Sequence, residues 1–326
     1  MNKRGLLDLI INRIPGLGSR EKIFLGEKFD REGDFTILSK KDVEALINRP
    51  LQAPWDMGTL RGLAERDASL GRLRGIAWVS HGDPRYPPLL RELWDPPALL
   101  FFRGILPDPE KPLIAVVGTR RPSGQAAAQA YDISRDLARG GAVVVSGLAL
   151  GIDALAHRGN LDGGAPTVAV LGSGLDQIYP ASNRPLAGRI LEAGGSLVSE
   201  FSPEMGPRSW TFPARNRIIS GLARSVLIVE APQRSGALIT ARFALEQGRD
   251  LMTASAGVSS SLGVGTRKLA EEGAKVISGA EEIFEEWGMV PGPRTGAMPG
   301  SVERMYENGV GLALSLARSL NIVCEE

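Results

Sequence analysis

Short apolar runs alternate with amphipathic stretches through the middle of this chain. Residues 113–117, 142–146, 166–171, 196–199, 225–230, 250–253 and 275–277 are apolar almost throughout, as strands covered on both faces must be. Between and after them, 123–139, 151–161, 183–193, 213–222, 236–247, 265–272 and 280–287 carry apolar residues at helical spacing. Strands that alternate with helices predict an α/β fold, a doubly wound and mostly parallel sheet. In such a sheet the loops that follow the strands gather on one edge.

The flanks read differently. Residues 1–75 predict helices, through Leu6, Leu7, Leu9, Ile10 and Ile14, then Phe24, Leu25 and Phe29, then Val43, Leu46 and Ile47. Ile-Pro-Gly-Leu-Gly at 14–18, followed by Ser19 and Arg20, resembles the turn of a helix-hairpin-helix. Such a turn can present backbone N–H groups to a phosphate, or it can simply pack two helices. Residues 76–112 form a proline-rich bridge, unsuited to a long helix. Its aromatics, Trp78, Tyr86, Trp94, Phe101 and Phe102, are expected to anchor the bridge by packing on the sheet. Residues 288–326 begin with a Gly/Pro-rich linker, and one apolar helix is expected near 301–320, too short for a core of its own.

The loops carry the candidate chemistry. The strand at 113–117 runs into Gly118, Thr119 and Arg120, with Ser123 placed to cap the next helix. The next strand ends in Ser146 and Gly147, and a third loop holds Ser235 and Gly236. Glycines and short polar residues let an anion approach the backbone, and helix starts carry unpaired N–H groups. Gly172-Ser173-Gly174 continues as Leu175-Asp176-Gln177, so the third glycine of a dinucleotide fingerprint is missing. Arg215 and Arg217 flank Asn216 at a predicted helix start. One arginine can face the crevice while the other braces the sheet, or either can pair with Glu200 or Glu230. Arg184 begins another helix behind Tyr179-Pro180, and Tyr179 can stack a base or pack. Asp153 and His157 sit four apart on one helix face, where a mutual hydrogen bond is expected in preference to a metal site.

Composition narrows the classes. Apolar content of 43% and charged content of 23% are ordinary for a globular chain, and a net charge of +1 means any nucleic-acid affinity comes from a local patch. The single cysteine, Cys324, cannot form an intrachain disulfide, which fits a reducing compartment and makes the cytoplasm the expected location. No apolar run reaches the roughly 18–20 residues of a membrane span. With only His81 and His157 in the chain, a histidine-based catalytic engine is poorly supported, and neither a metal nor a cofactor is expected.

Five segments in order carry a resemblance. Val-Gly-Thr-Arg (117–120), Ser-Gly-Leu-Ala-x-Gly-Ile-Asp-x-x-Ala-His (146–157), Val-Leu-Gly-x-Gly-Leu-Asp-x-Ile-Tyr-Pro (170–180), Phe-Pro-Ala-Arg-Asn-Arg-Ile-Ile-Ser-Gly (212–221) and Glu-Ala-x-x-x-Ser-Gly-Ala-Leu-Ile-Thr-Ala (230–241) follow the order and spacing of the DprA (Smf) family. Tyr-Pro-Pro-Leu-Leu and Asp-Pro-Pro-Ala-Leu-Leu-Phe-Phe-Arg-Gly in the bridge are similar to that family too. The resemblance covers roughly residues 76–280, and the helical start resembles the sterile-alpha-motif-like (SAM-like) domain of many members. It implies an extended Rossmann-like domain over 76–287 behind a SAM-like domain over 1–75. It also implies a mediator of natural transformation that binds and protects single-stranded DNA, loads RecA, forms a homodimer and performs no catalysis. The motif positions implied to line a DNA pocket are Gly118, Thr119, Arg120, Ser146, Gly147, Arg184, Arg215, Asn216, Arg217, Ser235 and Gly236.

Three departures bear on that expectation. Ala181 stands where the family often has a basic residue after Tyr-Pro, and Arg184 or Arg121 can compensate. Thr266-Arg267 replaces an expected amide-bearing turn, and the tail is short for the winged helix of many members. A rival from another class is a nucleotide-processing enzyme, with Glu200 or Glu230 as general acid or base in N-glycosidic cleavage. Gly-Val-Gly-Thr at 263–266 faintly echoes the loop of such enzymes, without their preceding glycine pair.

Overall fold

The structure, a computed structural model, describes residues 6–290. The chain opens with five helices: α1 (Leu7–Arg13), α2 (Ser19–Lys28), α3 (Glu32–Thr36), α4 (Lys40–Ile47) and α5 (Met57–Arg74). Ser39 caps α4 and Asp56 caps α5, each accepting from backbone N–H groups of the first turn. Gly75, at φ 65°, ends α5 in the left-handed region that glycine tolerates best. There follow β1 (Ile76–Ser80), α6 (Pro88–Arg91), β2 (Leu99–Gly104), β3 (Leu113–Val117), α7 (Gly124–Arg139), β4 (Val143–Ser146), α8 (Ile152–Asp162) and β5 (Val168–Val170). The remainder is α9 (Arg184–Glu192), β6 (Ser196–Ser199), α10 (Thr211–Leu222), β7 (Ser225–Ile228), α11 (Ala237–Glu246), β8 (Asp250–Ala254), α12 (Ser255–Ser259), α13 (Val264–Glu271), β9 (Lys275–Ile277) and α14 (Ala280–Glu286).

All nine described strands join one sheet in the order β1-β2-β6-β5-β4-β3-β7-β8-β9. The seven from β3 to β9 pair in parallel, matching the expected alternation. The bridge, expected as a proline-rich stretch without a long helix, supplies β1 and β2, which pair antiparallel with each other, and β2 with β6. Its prolines fall outside both strands, so they bound the strands without breaking either. The short helix α12 was likewise not expected from the apolar pattern.

Strand side chains alternate between two apolar layers. Ala115 and Val117 of β3, Val143 and Val145 of β4, and Val226 and Ile228 of β7 meet Ile218 and Ile219 of α10 and Ala241 of α11 on one face. Ile114, Val116, Val144 and Leu227 meet α7, α8 and α14 on the other. On that second face, towards β2 and β6, Leu99, Phe101, Ala169 and Leu197 share a core with Leu7, Leu9 and Ile10 of α1. The N-terminal helices therefore cover the part of the sheet that α7 and α8 leave open. Arg13 and Asp67 link α1 to α5 by paired bonds, one at 2.7 Å, with Asp67 buried.

Among the bridge aromatics, Tyr86 and Phe101 are buried, and the Tyr86 hydroxyl donates to the Pro97 carbonyl at 2.7 Å. Trp94 departs from the packing expectation, for it is 82% exposed. The turn at 14–18 serves packing. The Gly18 amide donates to Glu21 at 2.8 Å, while Arg49 pairs with Glu21 and donates to the Gly16 carbonyl at 2.6 Å. The Gly18 N–H thus already has a carboxylate partner, and Arg20 lies over the Trp94 ring at 4.2 Å. The expected C-terminal helix near 301–320 lies outside the described residues.

Candidate nucleic-acid interface

The chain leaves β3 towards β4, β5 and β6, then returns past β3 to β7, β8 and β9. The reversal opens a crevice above β3 and β7, where ligands of parallel α/β sheets bind. A cleft of about 680 Å³ occupies this position, walled by the loop after β3, the loop after β7 and the start of α10. Of the motif positions named above, Gly118, Thr119, Arg120, Arg215, Asn216, Ser235 and Gly236 line it.

Close approach of three loops sets the shape. The Thr119 amide donates to the Glu230 carbonyl at 2.7 Å, and the Ile152 amide donates to the Thr119 carbonyl at 3.2 Å. At Gly118 a Cβ would come within 2.6 Å of Ile152 and 2.9 Å of the Glu230 carbonyl. Gly151, at φ 74°, faces the Thr119 carbonyl so closely that a Cβ would stand 2.4 Å from it. Many loop amides are already partnered: Ser123 N–H with the Glu230 carboxylate, Gly147 and Ala149 N–H with Asp153, and Ala237 N–H with Ser235 Oγ. The expected field of open N–H groups is therefore thinner than the loop sequences suggest, and cationic side chains dominate the site.

Arg120, Arg121 and Arg234 are exposed and line the cleft. Arg120 also lies 5.9 Å from the Phe212 ring centre, and Tyr179 lies 5.6 Å from the same ring. Phe212, Tyr179, Gly147 and Arg215 border a smaller pocket of about 40 Å³ next to the cleft.

The remaining candidates divide by role. Arg215 is buried, and its Nη1 donates to the carbonyls of Gly147 and Val170, both at 2.6 Å. Burial lowers its pKa to about 10, which still leaves it charged at neutral pH. Arg217, two residues on, points away from the cleft. It clamps Glu200 at 2.6 and 2.7 Å and donates to the Asp95 carbonyl at 3.1 Å. Of the two readings open for the pair, the carboxylate pairing holds for Arg217, which leaves the expected DNA pocket, while Arg215 stays at the crevice. Ser146 is fully buried and donates to the Val116 carbonyl at 2.6 Å. Arg184 is exposed at the start of α9, and it borders neither the cleft nor the smaller pocket.

Asp153 and His157 do not bond to each other. Asp153 accepts from the Gly147 and Ala149 amides at 3.1 and 3.4 Å, while His157 Nδ1 meets Thr167 Oγ1 at 2.8 Å. Thr167 donates its own proton to the Val144 carbonyl, so His157 donates from Nδ1. Burial holds the imidazole neutral, with its pKa pushed down to about 3. Burial raises the Asp153 carboxyl above its usual range, opposed by the charge of Arg215. Glu230 is fully buried on Ser123, and Glu200 is clamped by Arg217. Among the described residues, neither carboxylate of the N-glycosidic rival lines the cleft, and Asp153 is the sole acidic side chain there. Among the described residues, no group of His, Cys, Asp and Glu could hold a metal, and no helix is long and apolar enough to cross a membrane.

Sequence patterns do not by themselves point to Arg234 and Phe212. Arg234 directly precedes Ser235-Gly236 in a loop at the C-terminal sheet edge, and that position was the available signal. Phe212 belongs to the Phe-Pro-Ala-Arg-Asn-Arg segment but has no polar group to draw notice.

Comparison with known proteins agrees with the motif reading. A family model described as DNA recombination-mediator protein A matches residues 77–288. The chain is 39% identical over 218 residues to the DNA processing protein DprA of Bacillus subtilis, covering 66% of this chain and 72% of that one. It spans about half, 54%, of the length of two Smf relatives. The crystal structure of DNA processing protein A from Streptococcus pneumoniae superposes with a TM-score of 0.69 at 32% identity, over 88% of this chain and 98% of that one. DNA processing protein A from Helicobacter pylori, whose structure concerns its single-stranded DNA binding mode, superposes with a TM-score of 0.57 at 29% identity, over 65% and 95%. The chain belongs to the DNA recombination-mediator protein A family, the DprA/Smf proteins.

Proposed function

We propose that this protein binds single-stranded DNA along the cleft above β3 and β7, and acts as a recombination mediator without chemistry of its own. One observation carries the reading: three exposed arginines, Arg120, Arg121 and Arg234, border a cleft at the switch point of the sheet. Arginine side chains hold phosphate oxygens in two-pronged fashion and do so irrespective of sequence. Phe212 and Tyr179 add aromatic surface on which bases can stack. The single-stranded DNA binding of the Helicobacter pylori relative supports the same assignment. Residues Gly118, Thr119, Ser235 and Gly236 give the strand close access to the backbone, while Arg215 and Asn216 shape the floor. Loading of RecA, a homodimeric state and work in the cytoplasm belong to this proposal as the family resemblance implies them.

The test is binding of labelled single- and double-stranded oligonucleotides across a salt titration. Preference for the single strand, with affinity falling steeply as salt rises, is the expected result. A folded protein that ignores the single strand would refute the reading.

A further inference from the structure

The floor of the cleft differs in charge from its rim. The rim carries Arg120, Arg121 and Arg234, all exposed. The polar cleft-lining residues buried below them are Asp153 and Arg215, each at 5% exposure, Asn216, at 8%, and Thr240, at 1%. The charges of Asp153 and Arg215 oppose each other on the floor, so the rim arginines hold the phosphates outward and leave the floor to the base.

Asp153 and Asn216 each use one polar atom inside the fold and leave the other without a hydrogen bond among the described residues. Asp153 Oδ2 takes both loop amides, Gly147 at 3.1 Å and Ala149 at 3.4 Å, and Oδ1 takes none. Asn216 Nδ2 donates to the Gly236 carbonyl at 3.2 Å, which leaves Oδ1 as a bare acceptor. Arg215 forms no ion pair with Asp153 among the described residues: its Nη1 donates to the Gly147 and Val170 carbonyls, and its charge acts on Asp153 from farther off. Phe212 lines the same cleft and offers a ring face. The floor thus presents acceptors to whatever enters, beside an aromatic surface.

Bases differ in what they offer to such a floor. Guanine alone carries two adjacent donors, N1–H and the 2-amino group, on its pairing edge. Adenine and cytosine each offer one exocyclic amine beside an acceptor, and thymine offers a single N–H between two carbonyls. We propose that Asp153, assisted by Asn216, reads the base that enters the cleft and favours guanine. The protein is then a sequence-tolerant binder with a base preference at one position in its site. This inference rests on the single-stranded DNA reading above, and it adds a specificity-determining residue that the rim arginines cannot supply.

The experiment compares the wild-type protein on three labelled single strands of equal length: alternating guanine and thymine, alternating hypoxanthine and thymine, and thymine alone. Hypoxanthine keeps N1–H and lacks the 2-amino group. The guanine strand is expected to bind about tenfold more tightly than the thymine strand, the scale of one two-pronged base contact. The hypoxanthine strand should fall between them. In Asp153→Asn the guanine-to-thymine ratio is expected to fall towards one. Equal affinity of the wild type for all three strands overturns the base preference and leaves the DNA reading standing. Absence of binding to every strand overturns both. A folded Asp153→Asn protein that keeps the full guanine preference overturns the role of Asp153. If that variant does not fold, Asn216→Ala and the hypoxanthine comparison in the wild type decide the matter.

Discussion

Two arginines separated by one residue show how much a single position determines. A spacing of two places Arg215 and Arg217 on opposite sides of α10, and sequence alone cannot say which side faces the crevice. The answer lies in partners far along the chain, Gly147 and Val170 for one and Glu200 for the other. Substitution separates their roles from that of the rim. Arg120→Ala and Arg234→Ala are each expected to weaken single-stranded DNA binding for all sequences and to reduce the salt slope by about 0.7, one phosphate contact. Arg217→Ala is expected to lower the unfolding free energy by about 3–5 kcal/mol, because Glu200 is left half-buried without its partner, while the salt slope stays as it was. Thermal melts and salt titrations of the three variants check both statements. His157 supplies a pH dependence. Its folded pKa of about 3 lies below the ordinary 6.5, so the folded state binds fewer protons than the unfolded chain. That contribution to stability is complete above pH 6.5 and is lost as pH falls towards 3, with a slope approaching about 1.4 kcal/mol per pH unit. Denaturant melts from neutral pH downward should show this acid limb, and His157→Leu should flatten it.

At the scale of elements, legibility followed burial. β3 and β7 were readable because strands covered on both faces must be apolar without interruption. β1 and β2 were hidden by the prolines between them and by exposed positions within the strands, Ala77 in β1 and Arg103 in β2. Asp153 and His157 share a helix face, yet the start of α8 turns Asp153 back onto the preceding loop, a contact that helical spacing does not encode. The loops themselves were legible as a set, whereas the pinning of their amides was not, since it depends on the approach of Glu230 and Asp153 from other elements. Gly151 concentrates that approach. Its φ of 74° and the 2.4 Å space beside the Thr119 carbonyl leave no room for a methyl group. Gly151→Ala is therefore expected to destabilise the protein by more than about 1 kcal/mol and to weaken DNA binding with it, because the loop carrying Arg120 must move. A variant with wild-type melting and wild-type affinity would show that the two loops are not coupled.

At the scale of the molecule, the boundary near residue 75 marks a change of secondary structure within a continuous core. Leu7, Leu9 and Ile10 of α1 pack in one cluster with Leu99, Phe101 and Leu197 of the sheet. Arg66 with Glu204, and Arg74 with Asp176, tie α5 to the loops after β6 and β5, though both are surface pairs that add little. Every described residue lining the cleft lies between Val117 and Leu262, so the N-terminal helices as described contribute no wall to it. Their effect on binding is indirect, through the apolar face they cover. A chain beginning at Ile76 would expose that face and is expected to melt at lower temperature and to self-associate, as contiguous apolar patches do. The fraction that stays monomeric and folded should keep the salt slope of the intact protein, since the three rim arginines remain. The complementary fragment, residues 1–75, would lose the sheet half of its core and should melt broadly, without a sharp transition. Mixing the two fragments should raise the melting temperature of the longer one, because the lost face is covered again. A sharp, independent transition for 1–75 alone, with no effect on mixing, would mean that the helices form a core of their own and only rest on the sheet.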